Sequence, residues 1–275
     1  MKQARFLRSL VLLACAGPLT LLSELQAQHT PAPFRWPDGK RVAVSLSFDD
    51  ARPSQIDVGL PLFDRYDARV TFFVNPPQMM KRLAGWKRAA AEGYEIGNHT
   101  NSHPCSGNFP WSRLNALENY TPVMIEAQMD GANAEIQRLL GVQAVTFAYP
   151  CGQKFIGRGT TTQSYVPLVA GRFVVGRGFR DEAANAPRFC DLSQVLGVES
   201  DGLSFDQMKA AVVEAARTGG WLVFAGHEIG AGGRQTTLVP ALEQFLLYAQ
   251  DPVSGVWLDT VEHVARYILA QRARE

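Results

Sequence analysis

Short apolar runs with strand character recur along the chain, separated by amphipathic helical stretches. This alternation constrains the fold more than any other feature, because it calls for a parallel sheet or barrel. "RVAVSLSFDD" (41–50) carries Val42, Val44, Leu46 and Phe48 on one side and small residues on the other, and stops at Asp49 and Asp50. "ARVTFFV" (68–74) ends at Asn75 and two prolines, and "YEIGN" (94–98) runs into His99. "AVTFAYP" (144–150), "RFVVGRG" (172–178), "WLVFAGH" (221–227) and "GVWLDT" (255–260) read as further strands. Between them, residues 78–92 favour helix up to Gly93, and a helix opens at Pro122 after Thr121 and ends at Gly141. Ile125, Met129, Ala132, Ile136 and Leu139 form the buried stripe of that second helix. Ser204 with Gln207 makes a capping box for a helix ending at Gly219, and a last helix covers about 260–272.

With 275 residues, 46% of them hydrophobic, one large domain of α/β barrel type is expected. A formal charge of +1 gives no electrostatic case for nucleic acid or an anionic membrane as partner. Lys2, Arg5 and Arg8 precede an apolar run from Leu10 to Leu22 and a polar stretch ending at Ala27. That layout reads as a cleaved secretory signal over 1–27, with a lipoprotein site at Cys15 as the alternative. The apolar run is short for a spanning helix, so no integral span is expected in the mature chain, which is placed in the periplasm or outside the cell. Residues 28–37 form a lead-in, and the catalytic domain is expected over 38–272. Cys105, Cys151 and Cys190 remain after export, so one disulfide is plausible with one thiol left over. Their pairing stays open, although Cys105 and Cys151 both flank polar motifs.

Those polar motifs fall in one place along each repeat. Asp49, Asp50, His99, Tyr149 and His227 each lie at, or just past, the C-terminal end of an expected strand. In a barrel of parallel strands these ends share one rim, where active sites are built. His99 and His103 stand four residues apart, a spacing that on one helical turn lets two imidazoles converge on an ion. With Asp50 they make a one-carboxylate, two-histidine set of the kind that holds a catalytic zinc and leaves room for water. Such a site makes hydroxide available near neutral pH and polarises a carbonyl. Asp49 is then free to act as base, and His227 is the candidate acid. Taken singly, each residue has an ordinary reading: Asp49–Asp50 as a turn cap, His227 and Tyr149 as core groups, and Trp111, Trp221 and Trp257 as packing. His29 and His263 show no supporting partners and read as surface residues.

"SLSFDDA", "HTNSH", "FAYPCG" and "VFAGH" occur in the order seen in the polysaccharide deacetylase family, carbohydrate esterase family four, which the chain resembles over roughly residues 38–270. The resemblance implies a distorted (β/α) barrel, usually seven-stranded, and a metal-dependent hydrolase that removes acetyl groups from amino sugars or acetylated polysaccharides. It also implies Asp49 as base, Asp50, His99 and His103 as ligands of one divalent ion, and His227 as acid. Zinc is the default from ligand type, with cobalt, nickel or manganese as alternatives. The chain departs from many members in having no arginine in its third motif and no evident tryptophan-containing fourth motif. The backbone donor to the oxyanion could belong to Tyr149 or to Cys151. "GRGFRDEAANAPR" (176–188) occupies the fourth-motif place and offers Arg177 or Asn185 for orienting substrate or base. A hydrolase of small non-peptide amides would use the same site, and a non-catalytic carbohydrate-binding protein is the non-enzyme alternative. Leaving-group preference is expected to lie in the loops 105–120, 153–166 and 228–237.

Overall fold

The alternation along residues 41–50 has its structural counterpart in a strand buried on both faces. In a computed structural model, which describes residues 34–274, the strands in chain order are β1 (Val42–Asp49), β2 (Thr71–Val74), β3 (Glu95–Asn98), β4 (Thr146–Ala148), β5 (Phe155–Ile156), β6 (Gln163–Ser164), β7 (Val175–Arg177), β8 (Val198–Glu199), β9 (Trp221–Gly226), β10 (Glu228–Gly230), β11 (Thr236–Leu238) and β12 (Val256–Leu258). Seven of them hydrogen-bond in the order β7-β4-β3-β2-β1-β9-β8, and β12 pairs with the first residues of β1. Every pairing in this sheet is parallel. Just before β8, Val195 bridges Arg177 on β7, so the chain from Val195 to Glu199 links the two edges and curls the sheet into a (β/α) barrel. β5–β6 and β10–β11 are separate two-stranded pairs outside that sheet.

The two faces of β1 bury different cores. Val42, Val44, Leu46 and Phe48 pack with residues of the surrounding helices, including Trp86, Met208, Leu242 and Phe245. On the opposite face Ala43 joins Phe73, Ala148, Val175, Trp221 and Val223. Burying both faces explains why strands of a parallel barrel read as nearly continuous apolar runs. The short hydroxyls on the inner side of β1 satisfy polar partners: Ser45 accepts from Trp221 Nε1 at 3.0 Å and Ser47 donates to the Phe224 carbonyl at 2.7 Å. Trp221 is therefore fully buried. Phe34 and Trp36, in the expected lead-in, also pack into this second core, and the Trp36 indole donates to the Gly219 carbonyl at 3.0 Å. The expected signal segment, the lipoprotein site at Cys15 and His29 lie outside the described residues. No helix among the described residues is long and apolar enough to cross a membrane.

The helix Pro122–Leu140 starts on Thr121, whose hydroxyl accepts from the Met124 N–H, and ends at Gly141 with φ 72°. The capping box at Ser204 and the left-handed Gly219 bound the helix Phe205–Thr218. Residues 78–92 depart from the single helix expected. The chain runs Pro76–Met79, a tighter turn over Met80–Arg82, and then Leu83–Ala91, because Arg82 leaves helical geometry at φ −139° and ψ 38°.

Candidate active site

Six of the parallel strands deliver a polar residue to their C-terminal ends, and five of these residues line one cleft of about 690 Å³, Arg177 lying behind it. Asp49 closes β1, Asn75 follows β2, His99 follows β3, Arg177 closes β7, Asp201 follows β8 and His227 follows β9. Successive side chains on an extended strand point to opposite faces. Asp49 and Asp50 nevertheless both line the cleft, since Asp50 (φ 74°) and Ala51 (φ 49°) leave the extended conformation. Left-handed backbone at a non-glycine residue costs energy and clusters at functional sites. Here Thr100, His103 and Cys151 share it.

His99 and His103 do not sit on a helical turn, contrary to the simplest reading of their spacing. They flank a bend, and the positive φ of Thr100 (61°) and His103 (51°) brings the rings to 4.7 Å between centroids. His99 Nε2 lies 3.5 Å and His103 Nε2 3.3 Å from the same Asp50 oxygen. One ligand atom from each of the three residues lies within 4.8 Å of the other two. His99 Nδ1 donates to the Ala148 carbonyl at 2.9 Å, which leaves the Nε2 lone pair facing Asp50. Burial, and then the neighbouring His99, push the His103 imidazole down to about 4, so it is neutral at physiological pH. Burial works against ionising Asp50, but His103, His99, His227 and Arg52 outweigh it and bring its carboxyl down to about 2. An ionised carboxylate and two imidazoles converging on one point fit a divalent transition metal such as zinc.

On one side of this cluster lies a buried ion pair. Arg177 Nη2 donates to Asp49 Oδ1, Nη1 donates to the Gly178 carbonyl at 2.7 Å, and the guanidinium stands over the Phe73 ring at 4.9 Å. Burial raises the Asp49 carboxyl, yet the charge of Arg177, with His99 and His227, more than offsets that and holds it below the ordinary range. The other Asp49 oxygen lies 4.0 Å from His99 Nε2. Thus an arginine that the third motif lacks reaches the aspartate from the end of β7. Gln55 ties the strand ends together by donating to the Asp49 and His227 carbonyls at 2.6 and 2.9 Å.

Across the cleft, His227 Nδ1 meets Asp201 Oδ2 at 2.6 Å, and the other Asp201 oxygen accepts from the His227 N–H and from Thr237 Oγ1, each at 3.1 Å. Gly226 makes room for this pair, because a Cβ there would collide with Thr237 and Ser200. Burial lowers the His227 pKa, but the Asp201 hydrogen bond and charge, with Asp49 and Asp50, carry it above the ordinary histidine value. Asp201 was not singled out from the sequence. It lies 26 residues before His227, just past the short strand β8 that the periodicity did not reveal.

The remaining sequence candidates separate. The Tyr149 N–H donates to the Arg177 carbonyl at 2.9 Å as part of the sheet, and its buried hydroxyl donates to the Ser193 carbonyl at 2.8 Å. Tyr149 therefore has no donor left for an oxyanion. Cys151 lines the cleft, and its N–H has no protein acceptor among the described residues. Its sulfur is bonded to Cys105, which leaves Cys190 as the free thiol among the described cysteines. Asn185 faces away, pairing with backbone at Trp221 and Leu196. Trp111 is 62% exposed and lines the cleft, whereas Trp257 packs among Trp36 and Tyr267. His263 is a surface residue, but it has a partner in Asp259 at 2.7 Å.

Architecture and rim together define a single-domain (β/α) barrel with a carboxylate–histidine cluster flanked by two charge-paired side chains. Residues 37–163 match the family model described as polysaccharide deacetylase. Among curated proteins it is 26% identical over 251 residues to gellan lyase from a Bacillus species, covering 84% of this chain and 10% of that protein. It is also 29% identical over 93 residues to the uncharacterised YlxY of Bacillus subtilis, covering 34% of this chain and 26% of that one. The chain thus spans only a small part of both curated relatives. Among solved structures, a Mycobacterium smegmatis protein provisionally described as a polysaccharide deacetylase superimposes with TM-score 0.61 at 18% identity, over 88% of this chain and 95% of its own. A family 4 acetyl xylan esterase from Clostridium thermocellum, solved with a cobalt ion, gives 0.53 at 20%, over 82% and 91%. Peptidoglycan deacetylase PdaC from Bacillus subtilis gives 0.52 at 18%, over 84% and 93%. At these identities the structural likeness establishes the fold.

Proposed function

We propose that this chain is a metal-dependent hydrolase that removes acetyl groups from a carbohydrate, as an N-acetyl amino sugar or an O-acetylated polysaccharide. The observation that carries the reading is a pair of titratable groups tuned in opposite directions on either side of the Asp50–His99–His103 cluster. Arg177 lowers the Asp49 pKa and favours its ionised form, while Asp201 raises the His227 pKa and favours its protonated form. Opposed environments of this kind assign a base and an acid.

Asp50, His99 and His103 would hold one divalent ion, zinc by ligand type. The ion would supply Lewis acidity, polarising the acetyl carbonyl and making water more acidic. Asp49, through the oxygen not taken by Arg177, accepts the water proton. Arg177 fixes that carboxylate and keeps it ionised below neutral pH. The Cys151 N–H donates to the oxyanion as the carbonyl becomes tetrahedral. His227 then delivers its Nε2 proton to the departing amine or alcohol, while Asp201 at Nδ1 fixes the ring and supports its charge. Trp111 and Phe109, stacked 5.5 Å apart at 22° beside His103, offer a flat apolar face for a sugar ring. We place the protein outside the cytoplasm, since the basic-then-apolar N-terminus and the Cys105–Cys151 disulfide both suit an oxidising compartment.

Asp49→Asn tests the assignment. The variant is expected to keep its metal, measured by elemental analysis, and to lose acetate release. Wild-type turnover in this variant would remove Asp49 as the base.

A further inference from the structure

The charged residues of the cleft do not balance one another. Four carboxylates line it, and each has a partner: Asp49 with Arg177, Asp50 with Arg52 at 2.9 Å, Glu199 with Arg180 at 3.0 Å and Asp201 with His227. Two lining cations are left over. Lys81 and Arg234 make no side-chain hydrogen bond or ion pair among the described residues, and both are exposed. They approach the cleft from two segments held together by residues 54–59. On one side Asp57 pairs with Arg82, the neighbour of Lys81, at 2.7 Å. On the other, Ser54 binds the Glu228 carboxylate and accepts from the Ile229 N–H, fixing the start of the β10–β11 pair whose connecting loop carries Arg234. On the cleft wall, Asn75 is 6% exposed and its Oδ1 has no hydrogen-bond partner. A buried amide oxygen left bare is costly unless a ligand donates to it.

We propose that the cleft is built for an acidic carbohydrate, with a carboxylate or sulfate of the glycan meeting Lys81 and Arg234 and a sugar hydroxyl donating to Asn75 Oδ1. The proposal rests on the carbohydrate-deacetylase reading and names the class of glycan it acts on. Arginine offers a planar fork suited to carboxylate or sulfate, and lysine adds a point charge that can follow the chain. An uncompensated positive rim also raises the local concentration of an anionic polymer at low salt. Both cations come from segments that lie outside the carboxylate–histidine cluster, so they bear on which glycan is held rather than on the bond broken.

The test is calorimetric titration of the full chain with three unacetylated oligosaccharides of equal length: a polyuronate, a sulfated neutral glycan and its uncharged parent. An acidic oligomer is expected to bind about tenfold or more tightly than the uncharged one. The advantage should vanish at roughly 0.5 M salt and in the double variant Lys81→Ala/Arg234→Ala. The charge-keeping double variant Lys81→Arg/Arg234→Lys should retain it, which separates loss of charge from loss of fold. Whichever acidic oligomer binds tighter identifies the anion. Equal affinity for charged and uncharged oligomers, or undiminished acidic binding by the alanine variant, overturns the proposal. Acidic binding without acetate release from any acetylated glycan would leave this inference standing and remove the hydrolase reading. Acetate release with no preference for acidic glycans would do the reverse.

Discussion

Replacing Arg177 by Met removes the charge that faces Asp49 and keeps most of the side-chain volume. Both partners are buried, with Arg177 wholly shielded, so solvent cannot take over the lost interaction. Breaking a buried pair by deleting one partner costs about 3–5 kcal/mol, because the remaining charge is stranded. For a domain of this size each kcal/mol moves the melting temperature by roughly 2–4 °C, so a fall of roughly 10 °C is expected near pH 7. The sign with pH follows from the lowered Asp49 pKa. In the wild type its contribution is present above the unfolded carboxylate value and is lost as pH falls through the lower folded value. In the variant burial dominates and Asp49 titrates higher, so the penalty should shrink on acidification as the carboxyl takes up a proton. Activity should follow: the acid limb of kcat/KM against pH moves to higher pH. Differential scanning calorimetry from pH 4 to 8 and a pH–rate profile on an acetylated oligosaccharide read both effects. A variant with wild-type melting temperature and an unmoved acid limb would refute the reasoning.

Asp201→Asn removes the charge that raises the His227 pKa, so the alkaline limb of the same profile should move to lower pH and kcat should fall about a hundredfold. The stabilisation from this pair is fully present below the ordinary histidine value and fades as pH rises through the raised one, so the variant's melting deficit should be largest in mild acid. His99→Ala should lose metal affinity, measured by calorimetric titration with zinc; an undiminished affinity would remove His99 from the ligand set. Cys105→Ser/Cys151→Ser opens a loop with a sequence separation of 46, and loop-closure entropy puts the loss at about 4 kcal/mol. Urea titration of the two proteins checks it, and equal midpoints would contradict it.

The sequence revealed most where local physics repeats. The alternation on β1, the caps at Thr121 and Ser204, and the left-handed glycines at 141 and 219 are short-range signals, and the structure has those elements at those places. Its limits were tertiary. β8 is two residues long, too short for any period to show, yet it links the sheet edges and leads to Asp201. Nothing local ties Asp201 to His227 or Arg177 to Asp49, which is 128 residues away in the chain. The convergence of His99 and His103 was legible as a spacing, but its means was not: positive φ at Thr100 and His103, not a helix, turns the rings together. Tyr149 stood at the right strand end, and only the sheet register shows its N–H already engaged.

The most direct test of the central claim is acetate release from acetylated chitooligosaccharides, peptidoglycan fragments and acetylated xylan, comparing metal-loaded protein with the same protein after chelation. The account predicts release by the loaded form alone, restored when the metal is returned. Silence across these substrates with metal verified in place, or equal release after chelation, would contradict it.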